Sequence, residues 1–138
     1  MKKIPTHIQN GLLDNVLYKA SPNKNCRPNP MGISLIIIHG ISLPPEQFGN
    51  TCIDDFFLNR LDPSGHPYFK EIHSLKVSAH LLIRRDGTVT QYVSFDERAW
   101  HAGISSFNGE ENCNDFSIGI ELEGTDQLAY TDKQYDEL

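Results

Sequence analysis

The apolar residues of this chain fall into a few short and sharply different patterns. Ile33-Ser34-Leu35-Ile36-Ile37-Ile38-His39 is an almost unbroken aliphatic run, closed by Gly40. Such a run, rich in β-branched residues, predicts a strand buried on both faces of a sheet. Val77, Ala79, Leu81 and Ile83 alternate with Ser78, His80, Leu82 and Arg84, and Thr88-Val89-Thr90-Gln91-Tyr92-Val93 follows Asp86-Gly87. Two such runs around Asp-Gly predict a β-hairpin. Phe116, Ile118, Ile120 and Leu122 alternate with Ser117, Gly119 and Glu121, which predicts another strand with one apolar face.

Helical spacing is rarer. Ile53, Phe56, Phe57 and Leu61 fit a short amphipathic helix, with Thr51 and Asp54 at capping-box spacing before it and Asp62-Pro63-Ser64-Gly65 stopping it. Thr131 and Gln134 repeat the capping-box spacing, and Tyr135 and Leu138 open an apolar stripe. A helix that short buries no useful face, so the chain reads as truncated just as a helix begins. Residues 1–32, punctuated by Asn10-Gly11, Pro22, Pro28 and Asn29-Pro30, read as an irregular N-terminal wrap, and residues 33–138 as a partial domain, the whole forming one domain.

Composition narrows the class. The chain has 138 residues, 38% hydrophobic and 22% charged, as in a soluble globular domain with a real core. A formal charge of -6 with no basic face argues against nucleic-acid binding. Two lysines near the start are followed by no apolar segment, so no signal peptide is expected, and no stretch is long enough to span a membrane. Three cysteines without paired spacing suit free thiols in a reducing compartment. These observations place the protein in the cytoplasm.

Candidate chemistry begins with His39, at the exit of a strand, where α/β sheets tend to bind ligands. An imidazole there is either a hydrogen-bonded structural group or a metal ligand and proton-transfer group. Glu121 lies on the open face of its strand and near its end; it is either a solvated or ion-paired residue or a working carboxylate. If the two strands are parallel neighbours, both side chains emerge on one rim. His80 reads as a buried, hydrogen-bonded histidine. Gly119 inside a strand predicts a close approach of another group to the backbone. Residues 103–115 read as a long polar loop of the kind that often carries binding residues. The six histidines form no His-x-His or His-Glu-x-x-His cassette, so any metal site is assembled over long range.

Four segments carry a resemblance: 37–45 (Ile-Ile-His-Gly-Ile-Ser-Leu-Pro-Pro), 77–87 (Val-Ser-Ala-His-Leu-Leu-Ile-Arg-Arg-Asp-Gly), 98–103 (Arg-Ala-Trp-His-Ala-Gly) and 113–126 (Cys-Asn-Asp-Phe-Ser-Ile-Gly-Ile-Glu-Leu-Glu-Gly-Thr-Asp). Together they resemble the cytoplasmic anhydro-N-acetylmuramyl-L-alanine amidases of cell-wall recycling, zinc enzymes related to peptidoglycan-recognition proteins. The resemblance implies an α/β fold with a mixed central β-sheet flanked by helices, here lacking the C-terminal helix and ligand loop. It implies hydrolysis of the amide between anhydromuramic acid and L-alanine in anhydromuramyl peptides. It makes His39 a zinc ligand and Glu121 the catalytic carboxylate. Trp100 is then expected to offer a face to the sugar, Leu122 to line the same pocket, and Lys76 to meet a carboxylate of the stem peptide; Trp100 as a core indole is the alternative.

The chain also departs from that family. The second histidine ligand, an aspartate ligand and an oxyanion-binding lysine belong beyond the helix begun at Thr131 and are not in this sequence, so activity is expected to be slight. Gly40 stands where relatives often have asparagine, and Asn112 where many have a basic residue. A non-catalytic muropeptide-binding module, or an unrelated α/β domain with structural His39 and Glu121, are the other readings. Oligomeric state is not legible.

Overall fold

The computed structural model describes residues 6–29 and 31–138. In chain order its principal strands are β1 (Leu17–Tyr18), β2 (Lys24–Cys26), β3 (Leu35–Ile41), β4 (Leu81–Ile83), β5 (Val89–Gln91), β6 (Glu97–Ala99) and β7 (Ser117–Glu123). The helices are α1 (Cys52–Phe57), α2 (Phe69–Ile72) and α3 (Asp132–Glu137). A five-stranded sheet runs in the order β1-β5-β4-β7-β3, while β2 pairs antiparallel with β6. The sheet is mixed: β7 is parallel to both β3 and β4, and β4 is antiparallel to β5 across the hairpin at Asp86-Gly87.

Alternation along the strands divides the side chains between two faces. Leu82 of β4 joins Ile53, Phe56 and Phe57 of α1, Phe69 and Ile72 of α2, and Tyr92 in one buried cluster. The opposite face holds a smaller cluster of Leu81, Ile83, Ile120 and Leu122. Ile36 and Ile38 of β3 are on that side and are 59% and 48% exposed.

The last two residues correct the reading of β3 as buried on both faces. The strand is the sheet's edge, and its burial alternates between half-buried and exposed. A continuous apolar run does not reveal whether a helix lies over each face. Capping at α1 is also corrected. Thr51 makes no side-chain cap, its hydroxyl donating instead to Asp55 at 3.3 Å. Asp54 is drawn inward, accepting from Lys19 Nζ at 2.8 Å, Arg84 Nη2 at 3.1 Å and the Tyr92 hydroxyl. Charge-assisted bonds of this kind outcompete a cap.

The box at Thr131 does form. Thr131 Oγ1 accepts from the Gln134 amide and Gln134 reaches back to the Thr131 amide, while Tyr135 is 58% exposed. The stretch before residue 33 holds short strands as well as irregular chain, β1 joining the central sheet beside β5. Helix α2 has no counterpart in the sequence reading. Its four residues are too few to set a period.

Candidate active site

Strands β3 and β7 are parallel, in a register that sets Glu121 directly beside His39. Adjacent positions in neighbouring strands project to the same face, so the imidazole and the carboxylate share one rim. The sequence condition for bringing them together is met.

His101 completes the cluster. Its backbone amide and that of Ala102 both donate to Asn114 Oδ1, at 3.1 and 2.9 Å, which fixes the turn after β6. The ring then lies across β7. Its Nδ1 is 3.0 Å from His39 Nε2 and its Nε2 is 3.1 Å from Ser117 Oγ. The two imidazoles meet edge to face, with ring centres 5.2 Å apart. Gly119 permits this, since a Cβ there would stand 2.5 Å from the ring's Cδ2. The expected close approach to that glycine is thus an imidazole.

Behind it, His80 is fully buried, as read from the sequence. Its Nδ1 accepts from the Gly119 amide at 3.1 Å, and its Nε2 pairs with the Glu97 carbonyl at 2.9 Å. Burial pushes its pKa down to about 4. Burial above all pushes His101 down to about 3, helped by repulsion between charged forms of His101, His39 and His80 and by the Arg27 guanidinium, and burial also lowers His39. The rings are neutral at physiological pH.

Glu121 behaves oppositely. Its Oε2 is buried without a hydrogen-bond partner among the described residues, and burial raises its pKa to about 8. A carboxyl that is neither ion-paired nor solvated holds its proton. Buried polar atoms in native proteins are nearly always bonded, so an orphan at the base of a cleft marks a place where chemistry is done. The cleft has a volume of about 360 Å³; Glu121 and His101 meet Trp100, Leu43, Tyr68 and Leu75 along its wall.

The remaining sequence candidates are placed as follows. Trp100 lines the cleft, half-buried, its indole N–H donating to Asn25 Oδ1 at 3.1 Å. It is neither a core residue nor a free one. Leu122 is corrected: it is 2% exposed in the cluster on the far face of the sheet, because odd and even residues of β7 point in opposite directions. Lys76 is exposed, between Leu75 and Val77 of the cleft wall, and is not itself part of the lining. At Gly40 a Cβ would stand 2.5 Å from the Tyr130 hydroxyl, so Tyr130 fills the space a side chain would need. Asn112 is exposed and left-handed (φ 59°) at the end of the loop.

A catalytic zinc takes three protein ligands. Among the described residues no three His, Cys, Asp or Glu side chains cluster to hold a metal ion. His39 brings one donor, and its Nε2 already faces His101. The residues present therefore do not make up the donor set of a catalytic zinc.

The sequence profile of N-acetylmuramoyl-L-alanine amidases matches residues 28–138. The chain belongs to this family. It is 58% identical over 135 residues to the 1,6-anhydro-N-acetylmuramyl-L-alanine amidase AmpD of Haemophilus influenzae, covering 98% of this chain and 73% of that protein. The AmpD of Escherichia coli is 56% identical over 131 residues, covering 95% of this chain and 72% of the relative. A crystal structure of a selenomethionine AmpD derivative superposes with a TM-score of 0.93 at 56% identity, over 95% of this chain and 73% of that one. The amidase fold extends to a Clostridium intestinale amidase, LysC, at a TM-score of 0.56 and 15% identity. Sequence reasoning within the family assigned no role to His101. Its relation to His39 crosses 62 residues of chain, and the one local signal was Gly119.

Proposed function

We propose that this amidase domain takes muropeptides into the cleft beside Trp100 and sets their muramic acid–L-alanine amide against the His39–Glu121 rim. Anhydromuramyl peptides are the substrates the relatives' names suggest, and cell-wall recycling in the cytoplasm is the setting of this reading. The observation that carries the reading is the register of β3 and β7, which sets the His39 imidazole beside an orphaned carboxyl that lines a largely apolar cleft. In the hydrolytic step Glu121 takes a proton from the attacking water and returns it to the leaving amine. With a pKa of about 8 it is a base in only about one molecule in ten at pH 7, and the base form grows as pH rises. Zinc is the cofactor the family resemblance implies, with His39 as a ligand; the donor set in this chain falls short of it, and turnover is expected to be slight.

That shortfall supports a second reading, a domain that binds muropeptide without cleaving it. The cleft and Trp100 serve either. Calorimetry with an anhydromuramyl tripeptide, with and without chelator, is read alongside chromatography of released peptide. Cleavage that chelator and Glu121→Gln both abolish supports the amidase. Chelator-insensitive binding with no product supports the binding module. Neither binding nor cleavage overturns both. Among the described residues no helix is long and apolar enough to cross a membrane.

A further inference from the structure

Strands β3 and β7 carry the His39–Glu121 pair side by side, and among the described residues β7 is the one strand that β3 joins. Their last shared hydrogen bond runs from the Gly124 amide to the Ile41 carbonyl at 2.9 Å, just past that pair. The end of an element with few partners opens at little cost. What braces this end lies on the far face of the sheet.

Gly40 of β3 stands beside Leu122 of β7, so Gly40, Leu122 and Gly124 share that face. One ring covers both glycines. A Cβ at Gly40 would stand 2.5 Å from the Tyr130 hydroxyl, and a Cβ at Gly124 would stand 2.5 Å from the Cε1 of the same ring and 3.0 Å from its Cδ1. Tyr130 thus lies across the two strands, its carbon edge on β7 and its hydroxyl on β3. It also packs on the small cluster of Leu81, Ile83, Ile120 and Leu122. Glycine at both positions is what lets an aromatic ring come so near to two backbones.

The chain on either side of Tyr130 is tied down independently. The Ala129 carbonyl accepts from Arg85 Nη2 at 2.9 Å, and Thr131 Oγ1 donates to the Arg85 carbonyl at 2.8 Å. Gln134 Nε2 donates to the carbonyls of Ile83 at 3.1 Å and Glu123 at 2.9 Å. These anchors fix the segment to the ends of β4 and β7, and the Tyr130 ring carries that hold across to β3.

We propose that Tyr130 is a positioning residue: its ring braces the end of β3 against β7 and so keeps His39 level with Glu121. It acts from the face opposite the cleft and is not part of the cleft's lining. The proposal rests on reading the His39–Glu121 rim as the working edge of the site.

Amide hydrogen exchange followed by NMR on the whole chain compares two amides of one molecule. The Gly124 amide reads the β3 side of β7, and the His80 amide, which donates to the Gly119 carbonyl at 3.0 Å, reads the β4 side. Tyr130→Ala is expected to speed Gly124 exchange about 10-fold, to leave His80 within about 2-fold, and to weaken binding of an anhydromuramyl tripeptide about 5-fold. Tyr130→Phe keeps the ring and is expected to hold Gly124 exchange near the wild-type rate. Gly40→Ala is expected to speed it. Adding Tyr130→Phe to Gly40→Ala is expected to restore it, because the next ring atom, Cζ, lies 3.8 Å from the new Cβ. For Gly124→Ala the same rescue is expected to fail, since ring carbons block that Cβ.

Unchanged Gly124 exchange in Tyr130→Ala, or equal acceleration at Gly124 and His80, makes Tyr130 merely structural and overturns the proposal. So does a Gly40→Ala defect that Tyr130→Phe leaves in place, and so does faster Gly124 exchange with unaltered muropeptide affinity. If Tyr130→Ala does not fold, the Gly40→Ala pair of variants decides in its place. The reading of the site fails separately, if wild-type protein binds no muropeptide; the exchange comparison then still decides whether Tyr130 holds β3.

Discussion

The two faces of the central sheet are built from the same strands and behave differently. On one, α1 and α2 close over Leu82 and Tyr92, and the burial they create reaches the rim where Glu121, His39 and His101 stand. On the other, Leu81, Ile83, Ile120 and Leu122 form a small buried cluster, and a groove of about 310 Å³ runs past Ile36 and Ile118. The closed face is where pKa values depart furthest from ordinary: Glu121 up to about 8, His80 down to about 4, His101 down to about 3. The functional difference between the faces follows from what covers them. Desolvation turns ordinary side chains into poised ones only where helices shut out water.

The contrast is sharpened most by Phe57→Ala. Phe57 is 2% exposed and packs edge to face on Tyr92, so its loss is expected to cost about 3–5 kcal/mol in urea unfolding. A loss below about 1 kcal/mol would mean that the closed face is not the core.

Next comes Glu121→Gln in the presence of chelator. The folded pKa near 8 lies above the ordinary 4.5, so the native state binds the proton more tightly than the unfolded chain does. Wild-type stability is then undiminished below pH 4.5 and falls as pH rises to 8. The glutamine variant lacks this fall. It should be the more stable protein above pH 8 by on the order of a few kcal/mol, with the gap closing towards pH 4.5. Parallel pH–melting curves for the two proteins would rule out a buried, protonated carboxyl.

Gly119→Ala should cost about 1–3 kcal/mol by overpacking, and it should abolish the hydrogen bond between His101 and His39 because the ring cannot stay. An unshifted His39 resonance would contradict that. The smallest effect belongs to the open face. Ile38→Ala, at 48% exposure, should change stability by no more than about 0.5 kcal/mol. A large loss there would show that the far side is covered in solution.

Much of this fold is legible in the sequence. The core of β3, the hairpin at Asp86-Gly87, the alternation of β7 and the box at Thr131 all follow from local pattern, because each depends on residues a few positions apart. The failures share a cause. Whether Ile36 and Ile38 are covered, whether Asp54 caps or turns inward to Arg84, and where Leu122 points relative to the cleft are decided by partners distant in the chain. Leu122 could have been placed correctly, since the same alternation that sends Glu121 to the rim sends its neighbour away.

The site was half legible. His39 and Glu121 stand at strand ends with chemistry that invites the question. His101 hid because an imidazole after Trp100 carries no pattern of its own until Gly119 and Ser117 are folded beneath it.

Among the described residues, strand β3 is bonded to the sheet along one side only, through β7. His39 therefore hangs on a single seam, whereas β7, which carries Glu121, is stitched on both sides by β3 and β4. Local fraying can peel the imidazole away from the neighbouring Glu121 while the rest of the molecule remains folded. Loss of the working arrangement on warming should thus come before melting, and amide exchange along residues 35–41 should outpace that of 117–123.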